Sequence, residues 1–275
     1  MRDSDFDFIR TLVYERSRIS LDERKRELVM SRLGKRMRAH GLSAVSDYCR
    51  LLRLPDQEEE RGRLIDAIST NHTFFFREPA HFDWMRRQII PEMAARARAE
   101  RWSHFGAWSA ACSSGEEAYS MAMTLSHGLD GGNWPWRIEA TDISHRVLAA
   151  ASAAVYRESA VVPHAPDWAR PYFEQGFGPQ QGNYRVRAAV RAPVNFRQLN
   201  LLEATPPFAG PLQLIFCRNV MIYFDRPTQE ELIAKLSSHL VPGGYLIVGH
   251  SEGLTGISHR LQGVQPSIYR RPLVP

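Results

Sequence analysis

Residues 215–225 read IFCRNVMIYFD, an apolar, strand-like run that Arg218 and Asn219 interrupt and that resumes at once. The interior of a buried strand gives such a pair no partners, and burying an unpaired charge is costly. We therefore expect the strand to end at the pair and the two side chains to face a ligand. Ligands of doubly wound sheets bind beyond the carboxyl ends of the strands, so this stretch predicts a sheet of that kind.

Strand, turn and helix alternate along the chain from Trp102 onward. Apolar runs predict strands at residues 105–110, 136–140, 194–199, 212–216 and 245–248. Such alternation, with helices between the strands, is typical of an α/β protein whose parallel sheet carries helices on both faces. Residues 157–192 interrupt it with proline, glycine and polar residues, and we expect a small antiparallel β insertion there.

The first part of the chain has helical rather than strand-like periodicity. We expect an all-helical N-terminal domain at residues 1–78 and the α/β domain at residues 79–275. The helical pattern that resumes at Pro79 is expected to break at Pro91, since proline is unfavourable inside a helix.

One predicted helix is strongly basic. Ser20 and Glu23 have the spacing of a capping box, and Leu28 begins an apolar face. Residues 24–38 contain seven lysines and arginines against one glutamate, and the cations lie largely opposite the apolar face. The side chains expected to face solvent or a partner are Arg24, Lys25, Arg32, Lys35, Arg36 and Arg38.

Composition excludes several classes of protein. The 275 residues are 44% hydrophobic with a net charge of +5, which is typical of a soluble globular protein. Neither a signal peptide nor an apolar membrane span is apparent, so we expect a cytoplasmic protein without membrane insertion. The three cysteines form no CxxC pair, and neither a disulfide framework nor a metal site is expected.

The turn after the first predicted strand, residues 112–117, is expected to lie closest to a cofactor. It reads CSSGEE and matches neither the dinucleotide fingerprint nor the P-loop. The sequence therefore lacks the motifs that usually predict a cofactor bound through its phosphates. Glu116 and Glu117 would by themselves only complement the helix dipole. Asp142, which ends the second strand, favours a ligand site instead, because an acid there commonly accepts hydrogen bonds from ribose hydroxyls.

Three separated motifs resemble the CheR family of chemotaxis-receptor methyltransferases, and the likeness spans nearly the whole chain. They are residues 71–78 (NHTFFFRE), residues 108–117 (WSAACSSGEE) and residues 215–225. The resemblance implies a Rossmann-like class I methyltransferase sheet and S-adenosylmethionine as cofactor, with S-adenosylhomocysteine as product. The positions expected to contact the cofactor are Asn71, Thr73, Arg77, Glu117, Asp142, Asn200, Leu201, Arg218 and Asn219.

The implied reaction is formation of glutamyl methyl esters on the cytoplasmic part of chemoreceptors. A glutamate nucleophile is already ionised near pH 7, so alignment and desolvation rather than a strong base are expected to supply the rate. By resemblance, Arg77 and Tyr223 lie at the reaction centre as catalytic residues. Arg77 is expected to orient a carboxylate. For Tyr223, an ordinary core position is nearly as well supported.

The resemblance also implies partners. The basic helix is expected to dock on the acidic helical bundle of a chemoreceptor, and the β insertion to hold a receptor C-terminal peptide by strand addition. Nucleic acid is disfavoured because no binding motif matches, and a monomer is expected. The alternatives are a cofactor-binding signalling module without turnover and a methyltransferase acting on another protein or a small molecule.

Overall fold

The computed structural model describes residues 1–129, 134–203, 206, 208, 210 and 212–273. Its first part is a helical unit of four α-helices: α1 (Asp3–Ser17), α2 (Arg26–Ala39), α3 (Val45–Arg53) and α4 (Glu58–Ile68). Their apolar faces, with Phe6, Ile9, Leu33 and Tyr48 fully buried, enclose a core of their own. The predicted all-helical N-terminal domain is therefore present.

The second part is built on a seven-stranded sheet with the order β6-β2-β1-β7-β8-β10-β9. Five of these strands pair in parallel, which confirms the doubly wound sheet. They are β1 (Phe105–Ala110), β2 (Trp136–Asp142), β6 (Val194–Gln198), β7 (Leu212–Cys217) and β8 (Leu240–Val248). The strand β8 begins at Leu240, five residues before the predicted start at Tyr245.

The seven-stranded sheet ends in two antiparallel strands that the sequence analysis did not predict: β9 (Gln262–Gln265) and β10 (Ile268–Arg270). All four residues of β9 are exposed, so the strand has no apolar face to give a signal. The predicted insertion is confirmed as a separate antiparallel sheet with the order β3-β5-β4. Its strands are β3 (Val155–Arg157), β4 (Phe173–Gln175) and β5 (Asn183–Val186).

The α-helices of the described part that accompany these strands are α5 (Pro79–Trp84), α6 (Ile90–Ala97), α7 (Glu116–Gly128), α8 (His145–Ala153), α9 (Glu158–Val161), α10 (Ala188–Arg191) and α11 (Arg226–His239). Alternate residues of β7 enter opposite layers of core. Leu214 and Phe216 join the layer that contains residues of α7 and α8, whereas Ile215 and Cys217 join that of α11. Both faces of the sheet are therefore covered, as a parallel sheet requires.

Two expectations about helix ends were wrong. Ser20 does not cap a helix; its backbone N–H donates to the Tyr223 carbonyl at 2.8 Å, and α2 begins only at Arg26 after a 3-10 turn. Pro91 does not break its helix, because α5 continues through a π-helical turn, Met85–Ile89, into α6. Proline is tolerated in the first turn of a helix. Pro91 lies in the first turn of α6, directly after the π-helical turn. Leu28 is 40% exposed and does not join the apolar face.

Arg36 is not a free cation of the basic helix, contrary to expectation. Its guanidinium pairs with the Glu60 carboxylate of α4, and the Arg36 side chain is 17% exposed. Glu60 also accepts a hydrogen bond from the Tyr48 hydroxyl at 2.7 Å and lies 2.9 Å from His40 Nε2. The Glu60 side chain is 3% exposed, so this network fixes α2, α3 and α4 to one another.

Acid should weaken the helical unit through Glu60. Burial raises the pKa of Glu60, but hydrogen bonds from Arg36, Tyr48 and His40 outweigh it and lower the pKa to about 2. A lowered pKa contributes stability that is present above the unfolded value and lost as the pH falls toward about 2. We expect Glu60→Gln to lower the free energy of unfolding by about 3 kcal/mol at pH 7 and by less at pH 3. Urea denaturation at both pH values measures this, with exposed Glu59→Gln as control; an equal loss at both pH values would contradict it.

Among the residues that the structure describes, no helix is both long enough and apolar enough to cross a membrane.

Candidate functional site

A pocket opens where β1, β2 and β7 end, between the sheet and the helical unit. All ten residues predicted for the site line it: Asn71, Thr73, Arg77, Glu117, Asp142, Asn200, Leu201, Arg218, Asn219 and Tyr223. They come from five separate stretches of the chain. The sheet topology brings four of these stretches together, because the carboxyl ends of parallel strands share one edge. The fifth, residues 71–77, lies between α4 and α5.

Arg218 lies at the base of this pocket, directly after β7, and its side chain is 1% exposed. Its guanidinium pairs with Glu78 at 3.0 Å and with Glu117 at 3.3 Å, and it donates to the Arg77 carbonyl. The rings of Phe82 and Phe216 both lie 5.6 Å from it. Arg218 therefore joins three segments of the pocket wall as well as lining the pocket.

Glu117, in the first turn of α7, provides a buried carboxylate beside Arg218. The Ser109 hydroxyl donates to Glu117 Oε1 at 2.7 Å, while Oε2 faces Arg218. Burial raises the pKa of Glu117, and the charge of Arg218 and the hydrogen bond from Ser109 oppose that rise. The carboxylate is placed to accept hydrogen bonds from a cationic or hydroxyl-bearing ligand.

Asp142 ends β2, and its carboxylate supports the turn after β1. The backbone N–H groups of Ser113 and Ser144 donate to its two oxygens at 2.9 and 3.0 Å. Burial raises the pKa of Asp142, and these backbone hydrogen bonds act in the opposite direction. A carboxylate has about four acceptor positions, so two donors leave capacity for a ligand.

The turn between β1 and α7 needs its glycine. Gly115 has φ of +96°, and a Cβ there would lie 2.9 Å from the Ala151 Cβ and 3.0 Å from the Tyr156 hydroxyl. Strained backbone also surrounds the pocket, since φ lies between 49° and 69° at five non-glycine residues: Phe76, Glu78, Ala111, Ser113 and Asn219. Strain of this kind concentrates at functional sites.

Asn71 and Asn200 both carry amides in the pocket lining. The Asn71 side-chain nitrogen is buried and has no hydrogen-bond partner in the described structure, a costly state that a ligand acceptor would relieve. The Asn200 amide instead donates to the Arg16 carbonyl at 2.9 Å, and its oxygen accepts from the Leu202 backbone. Asn200 thus also serves the packing of α1, and Leu201 beside it is 6% exposed.

The two residues predicted to be catalytic lie in the pocket wall and are partly exposed. Arg77 donates from Nη1 to the His72 carbonyl at 2.9 Å, and its guanidinium carbon lies 5.8 Å from the centre of the Phe74 ring. Tyr223 packs against the core of the helical unit and also lines the pocket. Tyr223 therefore occupies a core position and a pocket position at the same time, and each of the two expectations for it describes part of its environment.

The three phenylalanines at positions 74–76 divide between core and pocket. Phe75 and Phe76 are buried beside Phe173 and Phe82 respectively. Phe74 lines the pocket.

The loop after β8 contributes a carboxylate, Glu252, that holds the neighbouring loop of the site in place. Glu252 accepts hydrogen bonds from the backbone N–H groups of Asn219, Gly249 and Ile222. Burial raises the pKa of Glu252, against the effect of these backbone hydrogen bonds. The carboxylate is thereby engaged in holding the loop that carries Asn219.

Sequence reasoning missed the pocket residues of the helical unit, Ser17, Ile19, Ile68 and Ser69. They lie at the ends of α1 and α4, and nothing in their local sequence marks them. Among the described residues, three hydrogen bonds tie this unit to the second part of the protein: Tyr14 to Asp225 at 2.7 Å, Ser20 to Tyr223 at 2.8 Å and Asn200 to Arg16 at 2.9 Å. Glu78, the partner of Arg218, was also missed, although it ends the quoted motif 71–78.

Comparison with known proteins adds two family matches. A model described as "CheR methyltransferase, SAM binding domain" matches residues 71–269, and one described as "CheR methyltransferase, all-alpha domain" matches residues 4–69. The chain is similar to the chemotaxis protein methyltransferase of Klebsiella aerogenes, with 42% identity over 94% of this chain and 86% of the relative. The Escherichia coli protein of that name is 39% identical over 94% of this chain and 88% of the relative. Chemotaxis protein methyltransferase 2 of Pseudomonas aeruginosa is 39% identical over 96% and 92% of the two chains.

Proposed function

Because the chain belongs to the CheR family of S-adenosylmethionine-dependent methyltransferases, we propose that it methylates glutamate side chains on the cytoplasmic part of chemoreceptors. The product is a glutamyl methyl ester, and S-adenosylhomocysteine is released. We place the enzyme in the cytoplasm as a monomer. We also propose that the helical domain ends at residue 78 and the methyltransferase domain begins at residue 79.

The main support for this function is one observation: the ten residues predicted for the site all line one pocket at the ends of the central strands. Their chemistry suits the cofactor. The carboxylates of Glu117 and Asp142 suit the ammonium and ribose hydroxyls, and the Asn71 amide supplies a buried donor that has no partner among the described residues. The turn at residues 112–117 has no phosphate cradle, and S-adenosylmethionine has no phosphate to place in one.

The cofactor, when bound, supplies a methyl group on a positively charged sulfur. The chain has to hold the acceptor glutamate in line with that group and to exclude water, since the glutamate is already ionised near pH 7. Arg77, at the pocket wall with a planar guanidinium, is suited to hold a carboxylate by two parallel hydrogen bonds. Tyr223, which also lines the pocket, is suited to limit the space around the transferred methyl.

A second groove continues from this pocket between the helical unit and α8, and we call it the basic groove. Asn200, Leu199 and Ile143 line both cavities. Cations from both parts of the protein line it: Arg16, Arg32, Lys35, Arg36, Arg63 and Arg146. They outnumber the acids of the same lining, Glu58, Glu59, Asp66 and Glu203. Arg16, Arg36 and Arg63 are already paired with glutamates of α4. An acidic receptor helix lying in this groove would present its glutamates toward the pocket.

Charge reversal in the basic groove should weaken receptor methylation specifically. We expect the double variant Arg32→Glu and Lys35→Glu to lower kcat/KM for receptor at least about tenfold, because long-range attraction of an acidic partner is lost. Binding of S-adenosylhomocysteine should not change. The matched control is Arg87→Glu with Arg98→Glu, an equal charge change on exposed arginines outside the groove. Equal losses in both double variants would argue against docking here.

The β insertion supports a second receptor contact. Its sheet has the order β3-β5-β4, so β3 and β4 are edges on which an extended peptide can add a strand. Phe177, in the loop after β4, is 84% exposed. We propose that a receptor C-terminal peptide binds here. Titration with such a peptide should shift amide NMR signals of residues 172–191, and signals that stay in place would count against the proposal.

The deciding experiment is transfer of labelled methyl groups from S-adenosylmethionine to receptor-containing membranes, followed by treatment with alkali. Glutamyl methyl esters release volatile labelled methanol under these conditions, and label on the receptor that alkali frees would support the proposal. Alkali-stable label would favour another methyl acceptor. Tight binding of S-adenosylhomocysteine without any labelling across several receptors would favour a sensor without turnover.

A further inference from the structure

Two histidines and a carboxylate converge beside the pocket, on the far side of Arg218. Glu78 and His81 lie one helical turn apart at the start of α5, and His250 reaches them from the loop after β8. One ligating atom from each lies within 4.8 Å of the other two. Neither His81 nor His250 is among the residues that line the pocket in the described structure.

His81 is the unusual member of this group, because its side chain is 2% exposed. Both ring nitrogens are buried without a hydrogen-bond partner in the described structure. Burial lowers the pKa of His81 to about 3, helped by the positive charge of Arg218, so the ring is neutral at pH 7. A buried, neutral imidazole without partners is costly, and it has a lone pair to offer a ligand.

The spacing of the three groups matches a metal site. His81 Nδ1 lies 3.4 Å and His250 Nε2 4.0 Å from Glu78 Oε2. Two ligands at tetrahedral zinc, each with a bond of about 2.0–2.1 Å, lie about 3.3 Å apart. The His81–Glu78 pair already has this spacing. His250, with 56% of its side chain exposed, can move the remaining distance.

We propose that Glu78, His81 and His250 bind one divalent transition-metal ion, with Zn²⁺ the best match to two imidazoles and one carboxylate. The exposed side of His250 leaves a fourth position open to water. Arg218 lies 3.0 Å from the same Glu78 oxygen, so the ion and the guanidinium compete for it. We therefore expect moderate affinity, with Kd on the order of micromolar.

Calorimetric titration of untagged, chelator-treated protein with ZnCl₂ tests this site directly and does not depend on activity. The wild type should bind one ion, and His250→Ala and His81→Asn should each weaken binding at least about tenfold. His145→Ala, which removes an exposed histidine at the start of α8, should bind like the wild type. The cysteines do not compete, since Cys49, Cys112 and Cys217 are all buried.

His250→Ala is the decisive variant because His250 is exposed and its loss should not disturb folding. Thermal melting and binding of S-adenosylhomocysteine check the fold of both variants. Zinc binding of equal strength in folded His250→Ala and in the wild type would overturn the proposal. Failure of the wild type to bind zinc at about 100 µM, roughly a hundred times the expected Kd, would overturn it as well.

Discussion

Arg218→Met is expected to lower the free energy of unfolding by about 3–5 kcal/mol and to abolish measurable binding of S-adenosylhomocysteine. The substitution leaves Glu78 and Glu117 as buried carboxylates without the cation that both now face at 3.0 and 3.3 Å. Breaking a buried ion pair by removing one partner costs far more than losing a surface pair. Urea denaturation and calorimetric binding measure the two effects.

The control is Arg226→Met, because Arg226 is 61% exposed and its pair with Glu230 spans 3.7 Å. Pairs of that kind contribute about 0–1 kcal/mol. Adding Glu78→Gln to Arg218→Met should recover part of the lost stability, since one of the two unpaired charges is removed. A loss below about 1 kcal/mol in Arg218→Met would mean that the buried pair does not hold the pocket together.

The loss of stability in Arg218→Met should depend on pH. At present burial raises the pKa of Glu78, but Arg218 outweighs it and the pKa is lowered. Without Arg218, burial alone should leave the pKa of both Glu78 and Glu117 above their unfolded values. Groups with a raised pKa bind protons on folding, so Arg218→Met should be less destabilised at pH 5 than at pH 8.

Arg77→Ala is expected to lower kcat for methyl transfer by about a hundredfold or more, through loss of alignment of the reacting carboxylate. Arg77 lies in the wall of the pocket, and its hydrogen bond to His72 and contact with Phe74 fix its direction. Because the side chain is partly exposed, the variant should fold with nearly normal stability. Initial rates at saturating cofactor and receptor measure the effect.

Arg77→Lys separates charge from shape. Lysine keeps the positive charge but lacks the planar fork that binds a carboxylate at two points, so we expect only partial recovery of kcat. Arg87→Ala, at an exposed position in the π-helical turn, should leave both kcat and stability unchanged. An Arg77→Ala variant with normal cofactor affinity and full turnover would refute the role assigned to this residue.

The sheet could be predicted from sequence because its central strands are apolar runs or, as in Trp136–Asp142, alternate apolar and polar residues, and polar residues follow them. Leu212–Cys217 is buried on both faces and gives such a run. β9 escaped prediction because its four residues are exposed and its pairing depends on β10. Ser20 is not a cap because the 3-10 turn before α2 starts at Glu23, after Asp22, and the Ser20 backbone instead bonds to Tyr223, more than 200 residues away in the chain. Such contacts leave no local pattern.

The site could be predicted where polar residues follow a strand, as with Asp142 and Arg218, and where the family motifs contribute, as with Asn71. The contacts that charged side chains make with residues distant in the sequence could not be predicted. That Arg36 is bound to Glu60 depends on how α2 meets α4. That Glu78 and His250 meet depends on the order of the strands, although the spacing of Glu78 and His81 by one helical turn was a usable signal.

The pocket has one wall in the helical unit and the other in the sheet, and three hydrogen bonds cross between them. A ligand that touches both walls stabilises the docked arrangement by an amount that grows with the logarithm of its free concentration above Kd, about 2.7 kcal/mol at 100 times Kd. Proteolysis within the helical unit should therefore slow as the supply of cofactor rises. The cell's store of methyl donor would then set the lifetime of the enzyme as well as its rate.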